Sequence, residues 1–355
     1  MCLADKQTSN SLGKDDKPEA SAPVAERTPP TLQDRQNESF WQGISYTIAI
    51  LFNTVMYLSV VCFILYFCMV YYAPSTWVRT LLLLYIPYTL LDKTHITGAT
   101  RWVSYETIEW VRSLPTFWAS TAYFPAMLHK THDLDPSKPY ILSYHPHGVI
   151  GMGVNCTLNT NCAGFRELFP GLRRWGVTLR EVFYFFLVRD YILLAGFISA
   201  DRQALEQKLR QGDSIVLITG GAAEALYAQS GRFTLYLKRR QGFLKLALET
   251  GAAVVPCLGF GENDCFSTLD VTKHEHASLM NLLLRIRKVL RFSTPLVTWP
   301  IPRRNPIHVV VGAPVAFAPG TSVEECHKQY IVAVTKLYNE HKAKYGHKDI
   351  PLEII

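Results

Sequence analysis

The chain is short of charge, and the shortage is concentrated in one place. Only 18% of its 355 residues are Asp, Glu, Lys or Arg, against roughly 25% in an average soluble domain. Residues 39–78 contain none of these and no histidine, a run of 40 residues. A hydrocarbon span needs only about 20 apolar residues. The run therefore argues against a purely soluble protein and against a disordered one. Since no later stretch equals it, the composition also argues against a polytopic transporter.

Paired cysteines and nucleic-acid motifs are also missing. None of the eight cysteines forms a C-x-x-C pair, so their spacing predicts neither a disulfide scaffold nor a zinc finger. The formal net charge is +7, but no nucleic-acid motif accompanies it, and we expect no nucleic-acid partner. A basic body beside an apolar segment instead favours anionic lipid or an anionic substrate as the partner.

The N-terminal part of the chain divides into a tail and an anchor. Residues 1–38 have a polar composition without apolar periodicity, which predicts a disordered cytosolic tail. The apolar segment begins too late for a cleaved signal peptide, so residues 39–95 are expected to be a retained membrane anchor. The second apolar run, 80–91, is too short to span alone, which leaves one helix or a hairpin as alternatives. The basic residues that follow place this flank in the cytosol.

From residue 96 to residue 355, short apolar strands alternate with helical stretches. Strands are predicted at 140–144, 214–219, 253–258 and 308–311, with a helix at 240–249. This alternation predicts an α/β domain. The basic amphipathic stretch from Asn281 to Phe292 favours either an interfacial helix on anionic lipid or an ordinary solvated helix.

A His-Pro-His-Gly motif directly follows the first of these strands. His145 and His147 flank Pro146, which restricts the backbone, and Gly148 permits a positive φ or close approach of a ligand. Histidine is the usual general base near neutral pH. No further His, Cys or carboxylate has ligand spacing relative to this pair, so we expect a general-base site and no metal.

A pair of glycines and a glutamate follow another predicted strand. Gly220 and Gly221 come after a buried strand, where backbone amides can hold a phosphate or an oxyanion. They lack the residues of a P-loop or a dinucleotide fingerprint. Glu224, three residues on, either caps a helix or orients a histidine.

Two further groups of polar residues have both a functional and an ordinary interpretation. Arg239, Arg240 and Lys245 form a cluster of cations beside a glycine, which suits a phosphate-bearing ligand or a solvated basic patch. Glu262 and Asn263 follow the strand at 253–258, at the kind of strand end where open α/β sheets bind ligands; a polar turn is the alternative.

Taken together, these motifs resemble the type-2 diacylglycerol acyltransferase family. That family also contains monoacylglycerol and wax alcohol acyltransferases. The resemblance covers roughly residues 100–350. The matching segments, in the order seen in the family, are Tyr123-Phe124-Pro125, Tyr144–Gly148, Arg189-Asp190-Tyr191, Gly220–Glu224, Arg240–Leu248 and Phe260-Gly261-Glu262-Asn263.

The resemblance implies a fold, a reaction and a location. The fold is an α/β, glycerolipid-acyltransferase-like mixed sheet with flanking helices over residues 96–355, preceded by the N-terminal membrane helix or hairpin. The reaction transfers an acyl group from acyl-CoA to diacylglycerol and makes triacylglycerol, without a metal or redox cofactor. The location is the endoplasmic reticulum membrane or the lipid droplet, with the catalytic domain facing the cytosol. A homo-oligomer is left open.

Two departures from related patterns limit the resemblance. Distant relatives, the glycerophosphate acyltransferases, use a His-x4-Asp pair. The residues five positions after His145 and His147 are Ile150 and Met152, so Glu224 is expected to replace the aspartate. Many family members also carry a His-Gly-Arg-Gly segment before the last strand, where this chain has a shorter and different one. The resemblance therefore predicts the type of reaction more specifically than it predicts the acceptor.

The resemblance assigns each motif a role in the predicted site. His145 removes the acceptor proton, and His147 supports it or takes that role itself, while Glu224 orients the base. The glycines at 220 and 221 stabilise the oxyanion. Arg239, Arg240 and Lys245 are expected to bind the phosphates of CoA. The remaining predicted substrate-binding residues are Gly148, Arg189, Asp190, Glu262 and Asn263.

Three rivals to this function stay open. One is a sister acyltransferase that uses monoacylglycerol or a long-chain alcohol. Another is a catalytically silent, membrane-bound lipid-binding scaffold. The third is a metal-dependent membrane hydrolase.

Overall fold

The computed structural model describes residues 59–290, 293, 295–299 and 301–355. The predicted tail and the first half of the charge-free run lie outside these ranges. Within them, no helix combines the length and apolarity needed to cross a membrane. The predicted anchor function therefore stays a prediction.

The described part of the chain begins with two helices that lie side by side. Helix α1 covers Ser59–Tyr71 and helix α2 covers Thr76–Leu91, with Pro87 inside it. The hydroxyl of Tyr66 donates a hydrogen bond to the Leu82 carbonyl. With only four residues between the helices, α2 runs back along α1. These two helices are called the N-terminal hairpin below, and the choice between one membrane helix and a membrane hairpin stays a prediction.

Seven strands form the main sheet of the following domain. Their order is β1-β8-β7-β2-β5-β3-β4, and every adjacent pair is parallel except β7 and β8. A second sheet pairs β6 with β9. The predicted α/β mixed sheet is confirmed. The strands are β1 Ala126–Lys130, β2 Tyr140–His145, β3 Arg174–Thr178, β4 Phe197–Ser199, β5 Ser214–Ile218, β6 Phe233–Leu235, β7 Ala253–Phe260, β8 Ile307–Val311 and β9 Leu352–Ile354.

Helices cover both faces of the main sheet. Successive β2 residues point to opposite faces, and Ile141 and Leu142 accordingly belong to two separate buried apolar clusters. The domain helices are α3 Thr94–Thr97, α4 Tyr105–Val111, α5 Pro115–Tyr123, α6 Met152–Cys156, α7 Phe165–Leu168, α8 Val188–Leu194, α9 Arg202–Arg210, α10 Gly221–Ala225, α11 Gly242–Thr250, α12 Ala277–Leu290 and α13 Val323–His341.

The topology gathers three of the predicted motifs at one edge of the sheet. Strands β2, β5 and β7 are neighbours and run in the same direction. The carboxyl ends of parallel neighbours lie at a common edge, where α/β sheets bind ligands. The segments that follow these strands contain His147, Gly220 and Glu262 respectively.

Candidate active site

Glu224 joins the segments that follow β2 and β5. It lies on α10 and is only 2% exposed. Its Oε1 atom accepts a 2.7 Å hydrogen bond from the backbone N–H of His147. Its Oε2 atom accepts a 2.7 Å bond from the N–H of Tyr236 and lies 3.7 Å from Nδ1 of His145. One buried carboxylate therefore contacts the loop of both histidines, as expected of a residue that positions them.

His145 is the last residue of β2 and is fully buried, with 0% of its surface exposed. Its Nε2 atom lies 3.2 Å from the Tyr330 hydroxyl and 3.3 Å from that of Ser143. The Tyr330 hydroxyl in turn donates to Ser143 over 2.7 Å. In this conformation no substrate can reach the ring. The first of the two predicted roles, in which His145 takes the acceptor proton directly, would require the ring to become accessible and stays a prediction.

His147 differs from His145 because part of its side chain is exposed. Its Nδ1 atom lies 3.1 Å from the Gly148 carbonyl oxygen, which can only accept, so Nδ1 carries the proton when this bond forms. The lone pair is then on Nε2. Burial lowers the pKa of His147 below its usual value near 6.5. A ring that is neutral at pH 7 is suited to accept a proton.

Glu262 lies beneath the histidine loop instead of on an open ligand-binding surface. It is 2% exposed, and its Oε1 atom accepts from the N–H of Met152 over 2.9 Å. Its Oε2 atom accepts from the N–H of Gly153 and from the Tyr144 hydroxyl. Burial raises the pKa of Glu262 to about 7. Protein donors already contact both oxygens, which supports a structural role for Glu262, and the predicted substrate contact stays a prediction.

Gly148 is required at its position for two reasons. Its φ is +60°, in the region where side chains are rarely tolerated. A Cβ there would also lie 2.3 Å from the carboxylate of Glu262. The glycine thus permits the turn after His147 to rest directly on the buried carboxylate.

The Gly220-Gly221 turn contacts one of the predicted cations. Nη2 of Arg240 donates a 2.8 Å hydrogen bond to the Gly220 carbonyl, and its guanidinium lies 5.2 Å from the ring of Tyr236. A Cβ at Gly220 would lie 2.1 Å from the Glu224 carboxylate. The two glycines therefore connect the cation to the histidine-positioning carboxylate.

The other predicted ligand contacts are more dispersed. Arg239 and Lys245 are exposed, with their side chains toward solvent. Asn263 is 8% exposed and donates a 2.9 Å hydrogen bond to the carbonyl of Arg232. These positions leave Arg240 as the predicted cation that contacts the site.

Arg189 and Asp190 lie in a different arrangement from the predicted one. Arg189 is 1% exposed and forms ion pairs with Asp92 and Asp190, and it donates to the Tyr88 hydroxyl over 3.2 Å. Asp190 accepts from the hydroxyl of Tyr85. These groups connect α8 to the end of the N-terminal hairpin. The contacts given for both residues are to protein groups, which supports a structural role, and the predicted substrate-binding role stays a prediction.

Sequence reasoning missed Ser143 and Tyr330. Ser143 left a weak signal, since it is a buried polar residue within the otherwise apolar run that precedes His145. Tyr330 left none, because it lies 187 residues from Ser143 and shares an ordinary apolar face of α13. Among the described residues, no three His, Cys, Asp or Glu side chains are arranged to hold a metal ion.

A partly exposed imidazole, a carboxylate behind it and an arginine beside a glycine turn form the polar set of an acyl-transfer site. Comparison with known proteins identifies the class. The sequence profile of the diacylglycerol acyltransferase family matches residues 69–355. The chain therefore belongs to that family, a family of acyltransferases, and the resemblance drawn from the sequence motifs is confirmed.

The relatives of this chain are named for different acceptors, diacylglycerol in some and 2-acylglycerol in others. Diacylglycerol O-acyltransferase 2A of Umbelopsis ramanniana is 37% identical over 67% of this chain and 72% of its own. 2-Acylglycerol O-acyltransferase 1 of Bos taurus is 38% identical over 67% of this chain and 76% of its own. Diacylglycerol O-acyltransferase 1 of Schizosaccharomyces pombe is 31% identical over 91% of this chain and 95% of its own.

A solved structure is also similar. It is the 1-acyl-sn-glycerophosphate acyltransferase PlsC of Thermotoga maritima, with a TM-score of 0.41 and 14% identity over 82% of this chain and 98% of its own. A likeness at that level carries no argument about function.

Proposed function

We propose that this protein is an acyl-CoA:diacylglycerol O-acyltransferase that makes triacylglycerol. The observation that supports it most is the contact between Glu224 and the histidine loop, within a chain that belongs to the diacylglycerol acyltransferase family. The reaction needs a base for the acceptor hydroxyl and a site for the thioester. Both are proposed to lie at the edge where β2 and β5 end.

His147 is the proposed general base, the second of its two predicted roles. Nε2 takes the proton of the acceptor hydroxyl as the hydroxyl oxygen attacks the thioester carbonyl carbon. The C–S bond then breaks, and His147 gives the proton that it took from the acceptor to the departing CoA sulfur. The products are the new ester and free CoA, so the ring ends as neutral as it began.

Glu224 and His145 are proposed as positioning residues. The carboxylate holds the His147 backbone through a 2.7 Å bond, which fixes where the imidazole points. His145 is held between Glu224 and Tyr330 and fixes the end of β2. The amides at Gly220 and Gly221 are the proposed donors to the oxyanion that forms on the thioester carbonyl.

Membrane attachment forms part of the proposal because both substrates carry acyl chains. The N-terminal hairpin exposes many large apolar side chains, including Trp77, Leu81 and Leu91. Exposed apolar area on this scale is typical of a lipid or protein contact. We infer attachment to the endoplasmic reticulum membrane or a lipid droplet, with the catalytic domain in the cytosol.

Expression in a yeast strain that lacks neutral lipids tests the proposed reaction. The wild-type chain is expected to restore triacylglycerol, and His147→Ala, expressed to the same level, is expected not to. Accumulation of wax esters alone, or of diacylglycerol from fed monoacylglycerol, would move the protein to one of the sister activities. Absence of any neutral lipid from a well-expressed wild type would favour the silent scaffold.

A further inference from the structure

Two arginines beside the Gly220 turn each have a buried nitrogen without a partner. The Nε atoms of Arg240 and Arg287 are inaccessible to solvent, and no described atom accepts a hydrogen bond from either. A buried N–H group without an acceptor costs free energy. Both side chains are partly exposed, so an acceptor from outside the chain can approach the two guanidinium groups.

Arg240 is held in place by its other contacts. Its Nη2 atom donates to the Gly220 carbonyl over 2.8 Å, and its guanidinium lies 5.2 Å from the centre of the Tyr236 ring. The Tyr236 ring is stacked beside that of Tyr227, with centres 6.3 Å apart. These contacts fix the guanidinium plane and leave the Nε edge unused.

Arg287 is the inward-facing cation of α12. It follows Leu283 by one helical turn, so both lie on the same face. Leu283 is 5% exposed and packs with Leu226, next to α10. Arg287 is accordingly half-buried, while Arg285 and Lys288 on the same helix are exposed.

Arg240 and Arg287 carry like charges in one region, because α12 packs through Leu283 on Leu226 and the Tyr236 ring beside Arg240 stacks on that of Tyr227. Burial lowers the pKa of Arg240, and the positive charge of Arg287 lowers it further. The Glu224 carboxylate acts in the opposite direction, but its oxygens already accept from two backbone amides. An anion between the two arginines would remove this repulsion and satisfy both Nε atoms.

We propose that Arg240 and Arg287 together bind a phosphate group of the acyl-CoA donor. Guanidinium groups bind phosphate oxygens through paired, charge-assisted hydrogen bonds. The inference rests on the proposed acyl-CoA-dependent function and revises it: Arg287 takes the place that the sequence assigned to the exposed Arg239 and Lys245. Through the Gly220 carbonyl, the bound phosphate also braces the turn that packs against Glu224.

Binding of CoA to the purified full-length chain in detergent tests this site without requiring turnover. Arg287→Gln is expected to raise the Kd for CoA roughly tenfold or more, as for the loss of a charge-assisted contact. The matched controls Arg285→Gln and Lys288→Gln remove one charge from the same helix and should change the Kd by less than about twofold. An unchanged Kd in Arg287→Gln would overturn the proposal.

A kinetic comparison separates phosphate binding from a merely structural role. Arg287→Gln is expected to raise the KM for oleoyl-CoA and to leave kcat and the KM for oleoyl-pantetheine, which has no phosphate, nearly unchanged. An equal rise for both donors would overturn the proposal. If wild type binds CoA through Arg287 but transfers no acyl group, the site is supported and the proposed function fails.

A phospholipid headgroup is the other source of the same chemistry. Soluble dihexanoyl phosphatidate serves as its probe, with the same variants. If Arg287→Gln weakens binding of phosphatidate but not of CoA, the assignment to the donor is overturned. Weakened binding of CoA with little change for phosphatidate supports it.

Discussion

The Oε1 atom of Glu224 accepts a 2.7 Å hydrogen bond from the backbone N–H of His147, although 77 residues separate them in the chain. This bond ties the segment after β5 to the segment after β2. It acts on the backbone of the histidine, so the carboxylate sets the position of the imidazole without needing to touch the ring. The first prediction follows from the two amides that share this carboxylate.

Glu224→Gln is expected to lower both stability and kcat. The two carboxylate oxygens accept from the amides of His147 and Tyr236. Glutamine can satisfy only one, and its NH2 group would face the other donor, at a cost of about 1–3 kcal/mol in the free energy of unfolding. Chemical denaturation and single-turnover kinetics measure the two effects.

The control for this variant is Glu249→Gln, which removes an exposed ion pair with Arg202 on the domain surface. It should change the free energy of unfolding by less than about 1 kcal/mol and leave kcat unchanged. If Glu224→Gln behaved like this control, Glu224 would not position the histidine loop.

The pH dependence of the reaction follows from His147. The ring must be neutral to accept a proton, and burial lowers its pKa from the usual value near 6.5. Activity therefore falls as pH drops, but the midpoint of the fall is expected below about pH 6.5. A profile of kcat/KM from pH 5 to pH 8 measures it. A midpoint above pH 7 would contradict this role for His147.

Tyr330→Phe is expected to reduce kcat more than its effect on stability suggests. The change removes the hydroxyl that donates to Ser143 and lies 3.2 Å from Nε2 of His145. The free energy of unfolding should fall by roughly 0.5–1.5 kcal/mol.

Tyr338→Phe on the same helix is the matched control, since it removes a 2.9 Å hydrogen bond to the Ile350 carbonyl, away from the site. Both variants should lose similar stability, and only Tyr330→Phe should lose activity. Equal activity in the two would show that Tyr330 serves the fold alone.

Asp92→Ala is expected to destabilise the attachment of the N-terminal hairpin. It leaves the buried Arg189 guanidinium without one of its carboxylate partners, and breaking a buried pair costs about 3–5 kcal/mol. Hydrogen exchange should therefore accelerate in α2 and α8 before the rest of the domain. A raised KM for acyl-CoA with unchanged exchange would instead restore the substrate-binding role that the sequence predicts for Arg189.

Much of the sheet was predictable because its buried strands are continuous apolar runs. The predicted strand 140–144 became Tyr140–His145, and 253–258 became Ala253–Phe260, so errors were confined to the ends. Five of the described strands were not predicted. Strands β4, β6 and β9 have only three residues each, and β1 and β3 include polar or charged residues that interrupt the apolar pattern.

The site was predictable where residues are close in sequence and follow a strand. The pairing of Glu224 with the histidine segment was expected from the resemblance, because the aspartate of the related His-x4-Asp pair is missing from this chain. The roles of Glu262 and Arg189 were not predictable, because a carboxylate or guanidinium that binds a ligand and one that binds buried protein groups look alike in sequence. Tyr330 was missed because only folding brings α13 to the end of β2.

The most direct test of the account is acyl transfer from labelled oleoyl-CoA to diacylglycerol in microsomes that contain equal amounts of wild type, His145→Ala or His147→Ala. Wild type is expected to form labelled triacylglycerol, and His147→Ala to lose roughly 10²–10⁴-fold in kcat, as for removal of a general base. His145→Ala should lose activity together with stability, because it empties a buried position. Undiminished triacylglycerol formation by both variants would contradict the account.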